Sequence, residues 1–192
     1  MKKIVLTFGL ISGAIMSALM TSIVVFAHQT DPGRGMIIGY TIMVLSFLLV
    51  FFGIRSYREN IGNGYISFGR ALGVGFLIML ISCVCYVATW EVVYHKFMPD
   101  FGEKYLAHSI ERERASGKPP QQIEAEIESM RSMMQLYNSN IFFNMALTFL
   151  EPLPVGVVMA LISAAILRKR RKGEQDLQDL QDAVKQPSVN PV

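Results

Sequence analysis

One carboxylate stands inside a long apolar stretch. Glu151 lies in NIFFNMALTFLEPLPVGVVMALISAAILRKRRK, residues 140–172, directly before Pro152 and close to Pro154. An acid at the centre of a bilayer costs roughly 2.5–3.5 kcal/mol, so Glu151 needs a partner, a pathway or a ligand. Asn140, Asn144, Thr148 and Glu151 follow at steps of four, four and three, which places them on one helix face. Pro152 and Pro154 have no N–H to offer the carbonyls of Thr148 and Leu150. The same stretch therefore gathers a carboxylate, an amide, a hydroxyl and freed carbonyls into one polar site, and marks a helix kink.

Three kinds of chemistry fit such a site. In the structural one, Glu151 is protonated or hydrogen-bonded to Tyr86, Thr89 or backbone and locks the kinked helix. In the second, an acid on a broken helix serves an ion or transport pathway. In the third, Glu151 converges with Glu91, His95 and His28 on a metal or small ligand. Glu91 and His95 are four residues apart on one helix face, but the spacing lacks the HExxH pattern of zinc enzymes. No nucleophile–base signature such as GxSxG is present, so the expectation is a non-enzymatic protein without a cofactor. Gly62 and Gly64 near Arg70 match neither phosphate-binding glycine pattern. Cys83 and Cys85 diverge on a helix and read as core residues.

The elements that must hold these residues are membrane spans. The 192 residues are 52% hydrophobic and 17% charged, against roughly 25% charged in soluble domains. Apolar runs near the ~20 residues that cross ~30 Å of hydrocarbon put the expected spans at about residues 4–27, 36–54, 71–94 and 147–167, the last within an apolar run over 141–167. The first is too long for a signal-peptide core and is read as a retained span. On it Gly9, Gly13, Ser17 and Thr21 recur every fourth residue, a small-residue face that lets another helix approach closely. Ser82, Tyr86 and Thr89 form a thin polar seam on the third span. Trp90 and Tyr94 read as an aromatic belt at its end.

Residues 96–139 form the one sizeable polar insert. Asp100 and Glu103 suggest a capping box opening a helix over about 101–115. Gly117 and Pro119–Pro120 mark a turn, and a second helix runs to about Tyr137. Ile123, Ile127, Met130 and Met134 make one apolar stripe on it, read as an internal packing face. The expectation is a helical hairpin.

Basic residues set the topology: Lys2, Lys3, Arg55, Arg58, Arg70 and Arg168, Lys169, Arg170, Arg171, Lys172 all fall on one side if the amino terminus is inside. That places both termini in the cytoplasm and the insert in the periplasm of a bacterial inner membrane. The net charge of +3 sits at span ends and gives no reason to expect nucleic acid. Counted from Arg168 at 1.5 Å per residue, Glu151 lies ~25 Å up, in the outer leaflet of a ~30 Å core.

GYISFGRALGVGFLIMLISCVCYVATWEVVYHKFMPDF and FLEPLPVGVVMALISAAILRKRR together resemble an uncharacterised bacterial four-span family, catalogued as domain of unknown function 4199. The resemblance covers residues 2–172 and implies four spans with a helical insert, but no activity, cofactor or substrate. The expected fold is all-α: a four-helix transmembrane bundle over residues 1–172, an extracytoplasmic helical hairpin between spans three and four, and a polar, disordered tail over 173–192. The expected role is that of a membrane component acting through packing or a partner, the alternative being a small transporter or channel subunit using Glu151. Expected partners are the lipid bilayer, another membrane or periplasmic protein at the 96–139 hairpin, and a second copy of the chain.

Overall fold

The computed structural model describes residues 1–26, 32–169 and 173. Among them the chain is all-α. Its helices are α1 (Lys2–Phe26), α2 (Pro32–Asn60), α3 (Phe68–Phe97), α4 (Phe101–Arg114), α5 (Pro120–Ser139), α6 (Ile141–Leu150) and α7 (Leu153–Leu167). Among the described residues four stretches are long and apolar enough to cross a membrane: Lys2–Ser22, Ile37–Asn60, Phe68–Phe97 and Ile141–Leu167. The protein is a multi-pass membrane protein. His28, Arg170, Arg171, Lys172 and residues 174–192, and with them nearly all of the expected tail, lie outside the described residues.

Helix α3 is the axis of the bundle and packs on α1, α2, α6 and α7. Phe47, Val50 and Ile54 of α2, Val74, Ile78 and Met79 of α3, and Ala160 and Ala164 of α7 are buried together. The small-residue face of α1 lies on α3 in a matched four-residue step. A Cβ on Gly9 would stand 2.8 Å from Cβ of Ile81, and one on Gly13 would stand 2.6 Å from Cβ of Cys85. One step further, the Thr89 hydroxyl donates to Ser17 Oγ at 2.9 Å. Between these, the Ser82 hydroxyl donates to the carbonyls of Gly9 at 3.2 Å and Ile78 at 3.0 Å. Lipid tails are as apolar as leucine, so helix association in a bilayer rests on such close packing and interhelical hydrogen bonds.

The basic residues share one end of the bundle. Gly53 sits beside Phe8 and Ile78, while Gly75 sits beside Ile54 and Ala160. From those levels the helices run comparable distances to Lys2–Lys3, Arg58, Arg70 and Lys169. Ile66 and Lys169 exchange both backbone hydrogen bonds at 2.9 Å, which ties the α2–α3 loop to the end of α7. Helix α2 continues to Asn60, past the expected span end at residue 54. Its polar last turns hold themselves there: Arg55 Nε donates to Glu59 Oε1 at 2.9 Å, and Arg58 donates to the Leu167 carbonyl at 3.4 Å.

At the other end α4 and α5 pack on each other, joined by a turn in which Gly117 takes φ +74°. The expected capping box does not form. Asp100 precedes α4 at φ −89° and ψ 3°, outside the extended region a capping residue needs, and its side chain makes no cap hydrogen bond. Asn140 does cap: its Oδ1 accepts from the amides of Phe142 and Phe143 at 3.0 and 3.2 Å. That bond starts α6 immediately after α5, at Ile141, where the apolar run begins.

The α1–α3 seam generates a prediction. Gly13→Leu drives a side chain into Cys85, and overpacking of this kind costs about 1–3 kcal/mol. A Cβ on Gly39 meets nothing within 4 Å. Thermal unfolding in detergent should show a lowered midpoint for Gly13→Leu and an unchanged one for Gly39→Leu. Equal midpoints would mean that α1 is not seated on α3.

Candidate functional site

Helix α6 stops at Leu150 because Pro152 and Pro154 cannot donate to the carbonyls four residues before them. Glu151 (φ −62°, ψ −55°) and Pro152 (φ −79°, ψ −14°) join α6 to α7 in a single turn. Below the turn, Gly156 is buried against Met79 and Phe47. Above it, α6 packs on α3 and α5 instead of on α2. The break thus separates the closed bundle from a more open end.

That end holds a cavity of about 590 Å³ among α3, α4, α5 and α6, with Glu151 in its wall. Ligand pockets run to roughly 300–1,000 Å³ and are mostly apolar with a few placed polar groups. Helix α3 contributes Tyr86, Trp90 and Tyr94, one face at steps of four. Helix α4 contributes Phe101, Gly102, Tyr105, Leu106 and Ser109, and α5 contributes Met130, Met133, Met134 and Tyr137. Leu147 and Thr148 close it from α6. Tyr86 lies 16 residues beyond Arg70, about 24 Å along α3, so the cavity opens near the far boundary of a ~30 Å hydrocarbon core.

Polar contacts hold the walls in register. The Tyr86 hydroxyl donates to Glu151 Oε2 at 3.0 Å. Trp90 Nε1 donates to the Tyr137 hydroxyl at 2.7 Å, and that hydroxyl is 3.4 Å from Thr148 Oγ1. Thr148 donates in turn to Asn144 Oδ1 at 3.3 Å. The Tyr94 hydroxyl donates to Asn138 Oδ1. Trp90 meets Phe101 edge to face at 5.4 Å, and Tyr94 meets Tyr137 at 5.5 Å. Burial raises the ionisation of the Tyr137 hydroxyl above its ordinary range, which keeps it a neutral donor and acceptor.

The polar face expected on one helix is divided by the fold. Asn144 and Thr148 are buried, Asn140 caps α6, and Glu151 is exposed at the cavity. Thr89 turns instead to α1. Of the candidate metal ligands, His95 Nδ1 lies 3.5 Å from Glu91 Oε2, and both Glu91 carboxylate oxygens are buried without a hydrogen-bond partner. Glu151 does not join that pair; among the described residues no three His, Cys, Asp or Glu side chains converge. His28 lies outside the described residues.

The aromatic lining was the part sequence reasoning missed. Trp90 and Tyr94 read as belt residues, and Phe101, Tyr105 and Tyr137 carried no expectation beyond their helices. The available signal was the step-of-four recurrence Tyr86, Trp90, Tyr94 facing Met130, Met134 and Tyr137 on the insert.

A family model described as "Protein of unknown function (DUF4199)" matches residues 7–169, so the chain belongs to that family. No curated protein and no solved structure matches it.

The α4–α5 pair that covers the cavity is fastened at its turn by Lys118, which contacts Glu113 at 2.7 Å and Glu126 at 2.6 Å. The Lys118 hydrogen bond holds the Glu113 carboxyl below its ordinary range, and the two carboxylates hold the Lys118 ammonium above its own. A depressed acid adds stability above its unfolded value and loses it as pH falls through the folded one. A raised base adds stability below its unfolded value and loses it as pH rises through the folded one. Amide protection at residues 110–124 should therefore be flat between the carboxylate and lysine ranges and fall on either side. Lys118→Met should remove both edges; an unchanged profile would exclude the clasp as their cause.

Proposed function

We propose that the chain is a non-enzymatic component of a bacterial inner membrane, both termini cytoplasmic, that binds a small molecule at its periplasmic end. The observation that carries this is the cavity of about 590 Å³ at one end of a filled bundle. Below Tyr86 the bundle is filled: Phe47, Ile78, Met79 and Ala160 are completely buried, and among the described residues no charged residue is buried with them in that layer. A conducting path needs polar groups or water through that layer. The packing therefore favours binding over conduction, although Glu151 on a broken helix first suggests transport.

The concentration of Lys2, Lys3, Arg55, Arg58, Arg70, Arg168 and Lys169 at one end supports the orientation. The insert supports a role for a second protein. Glu103, Lys104, Arg112, Glu124, Glu128 and Arg131 are exposed on α4 and α5, and a partner docking there would sense whether the cavity beneath is filled.

Two measurements test the reading. An alkaline phosphatase fusion at Gly117 should be active and a fluorescent-protein fusion after Val192 should fluoresce; the reverse pattern would invert the orientation. In proteoliposomes, neither wild type nor Glu151→Gln should pass protons, sodium or potassium above protein-free vesicles. A flux lost on the Gln change would establish the transporter alternative instead.

A further inference from the structure

We propose that the ligand of this cavity is a lipophilic organic cation, held by Glu151 and the aromatic faces around it. The inference rests on the binding reading above and adds the charge of the ligand. Glu151 Oε2 accepts from Tyr86, while Oε1 has no hydrogen-bond partner among the described residues. The remaining lining contains no lysine, arginine or histidine. Among the described residues this carboxyl group has no protein counter-ion, and in an apolar surrounding such a group is neutralised either by a proton or by a cationic ligand. A cation gains from the ionised form, whereas an anion would meet repulsion and a neutral ligand would gain nothing from the charge.

The rest of the wall suits a cation with an apolar body. Tyr86, Trp90, Tyr94, Phe101, Tyr105 and Tyr137 surround one space. The negative π faces of aromatic rings attract a cation within about 6 Å of the centroid, more strongly once it is desolvated. Their edge-to-face contacts, from 5.4 Å for Trp90–Phe101 to 6.1 Å for Tyr94–Phe101, hold several rings at angles to one another. The three methionines of α5 are unbranched and polarisable, so they adapt to the ligand's apolar part. Two sources share this chemistry. One is a free amphiphilic cation entering from the periplasm. The other is the ammonium headgroup of a lipid in the outer leaflet, whose depth the cavity matches.

Trp90 is the one tryptophan of the chain and lines the cavity, so its fluorescence reports occupancy. Purified protein in non-ionic detergent would be titrated with tetraphenylphosphonium, with tetraphenylborate as the anion of the same shape, and with N-phenyl-1-naphthylamine as a neutral probe. The cation should quench Trp90 saturably. Glu151→Gln, which keeps an acceptor for Tyr86, should weaken the cation by about tenfold and leave the neutral probe unchanged. Tyr105→Leu should weaken the cation with the carboxylate intact. Comparing each probe between wild type and variant cancels its partition into micelles. In nanodiscs, a cation affinity lowered by phosphatidylethanolamine, relative to phosphatidylglycerol discs corrected for surface charge, identifies the lipid headgroup as occupant. An affinity equal in the two identifies a free cation. If the neutral probe binds but Glu151→Gln leaves the cation unaffected, the charge assignment is overturned and the binding reading stands. If none of the three probes binds a protein whose thermal unfolding is intact, both are overturned.

Discussion

The structure depends on how closely α1 can approach α3. Water drives apolar faces together in a soluble protein, but in a bilayer helices that separate expose themselves only to equally apolar lipid. Cohesion then comes from interatomic contact and from the few hydrogen bonds that cross between helices. Gly9 and Gly13 supply the first by letting Ile81 and Cys85 reach the α1 backbone. Ser82 and Thr89 supply the second. With α1 fixed on one side and Gly156 of α7 seated against Met79 on another, α3 becomes a rigid post. Its upper turns, which carry Tyr86, Trp90 and Tyr94, extend from that packing to meet the insert through the Trp90–Tyr137 and Tyr94–Asn138 hydrogen bonds.

The prolines act on this frame by ending the regularity of the fourth span at one level. Up to Gly156, α7 lies in the closed bundle. Above Pro152 the chain leaves that contact, and α6 follows the insert. The cavity is what remains between a straight α3 and a diverted α6, covered by α4 and α5. Its polar groups sit where the two meet. The Tyr86–Glu151 bond spans the gap at its base, and the series Trp90, Tyr137, Thr148, Asn144 spans it again one turn higher. A ligand entering this space would touch all four helices at once.

Much of the frame was legible in the residues. Four apolar runs of spanning length, the small-residue face of α1, the kink at Pro152 and the two helices of the insert all follow from local chemistry and period. Failures came where a contact distant in sequence decided the outcome. Helix α2 continues past its apolar run to Asn60, and there Arg58 reaches the Leu167 carbonyl 109 residues away. Asp100 and Glu103 have the spacing of a capping box, yet the sharp connection out of α3 leaves Asp100 in the wrong backbone region. The position of Trp90 near a span end suits an interfacial anchor and leaves its second contact unannounced. Nothing local reveals that Tyr137 waits 47 residues later to accept its N–H.

By itself the sequence determined what the bilayer enforces: span number, the break in the fourth span and the clustering of basic residues, since each depends on the transfer energies and backbone chemistry of neighbouring residues. Only the tertiary structure decided what Glu151 meets. Four residues on one helical face looked like a single polar group, but burial took Asn144 and Thr148, capping took Asn140, and a tyrosine 65 residues earlier took one oxygen of Glu151. A carboxylate's partners are set by which helices meet around it, and that depends on packing between elements far apart in the chain.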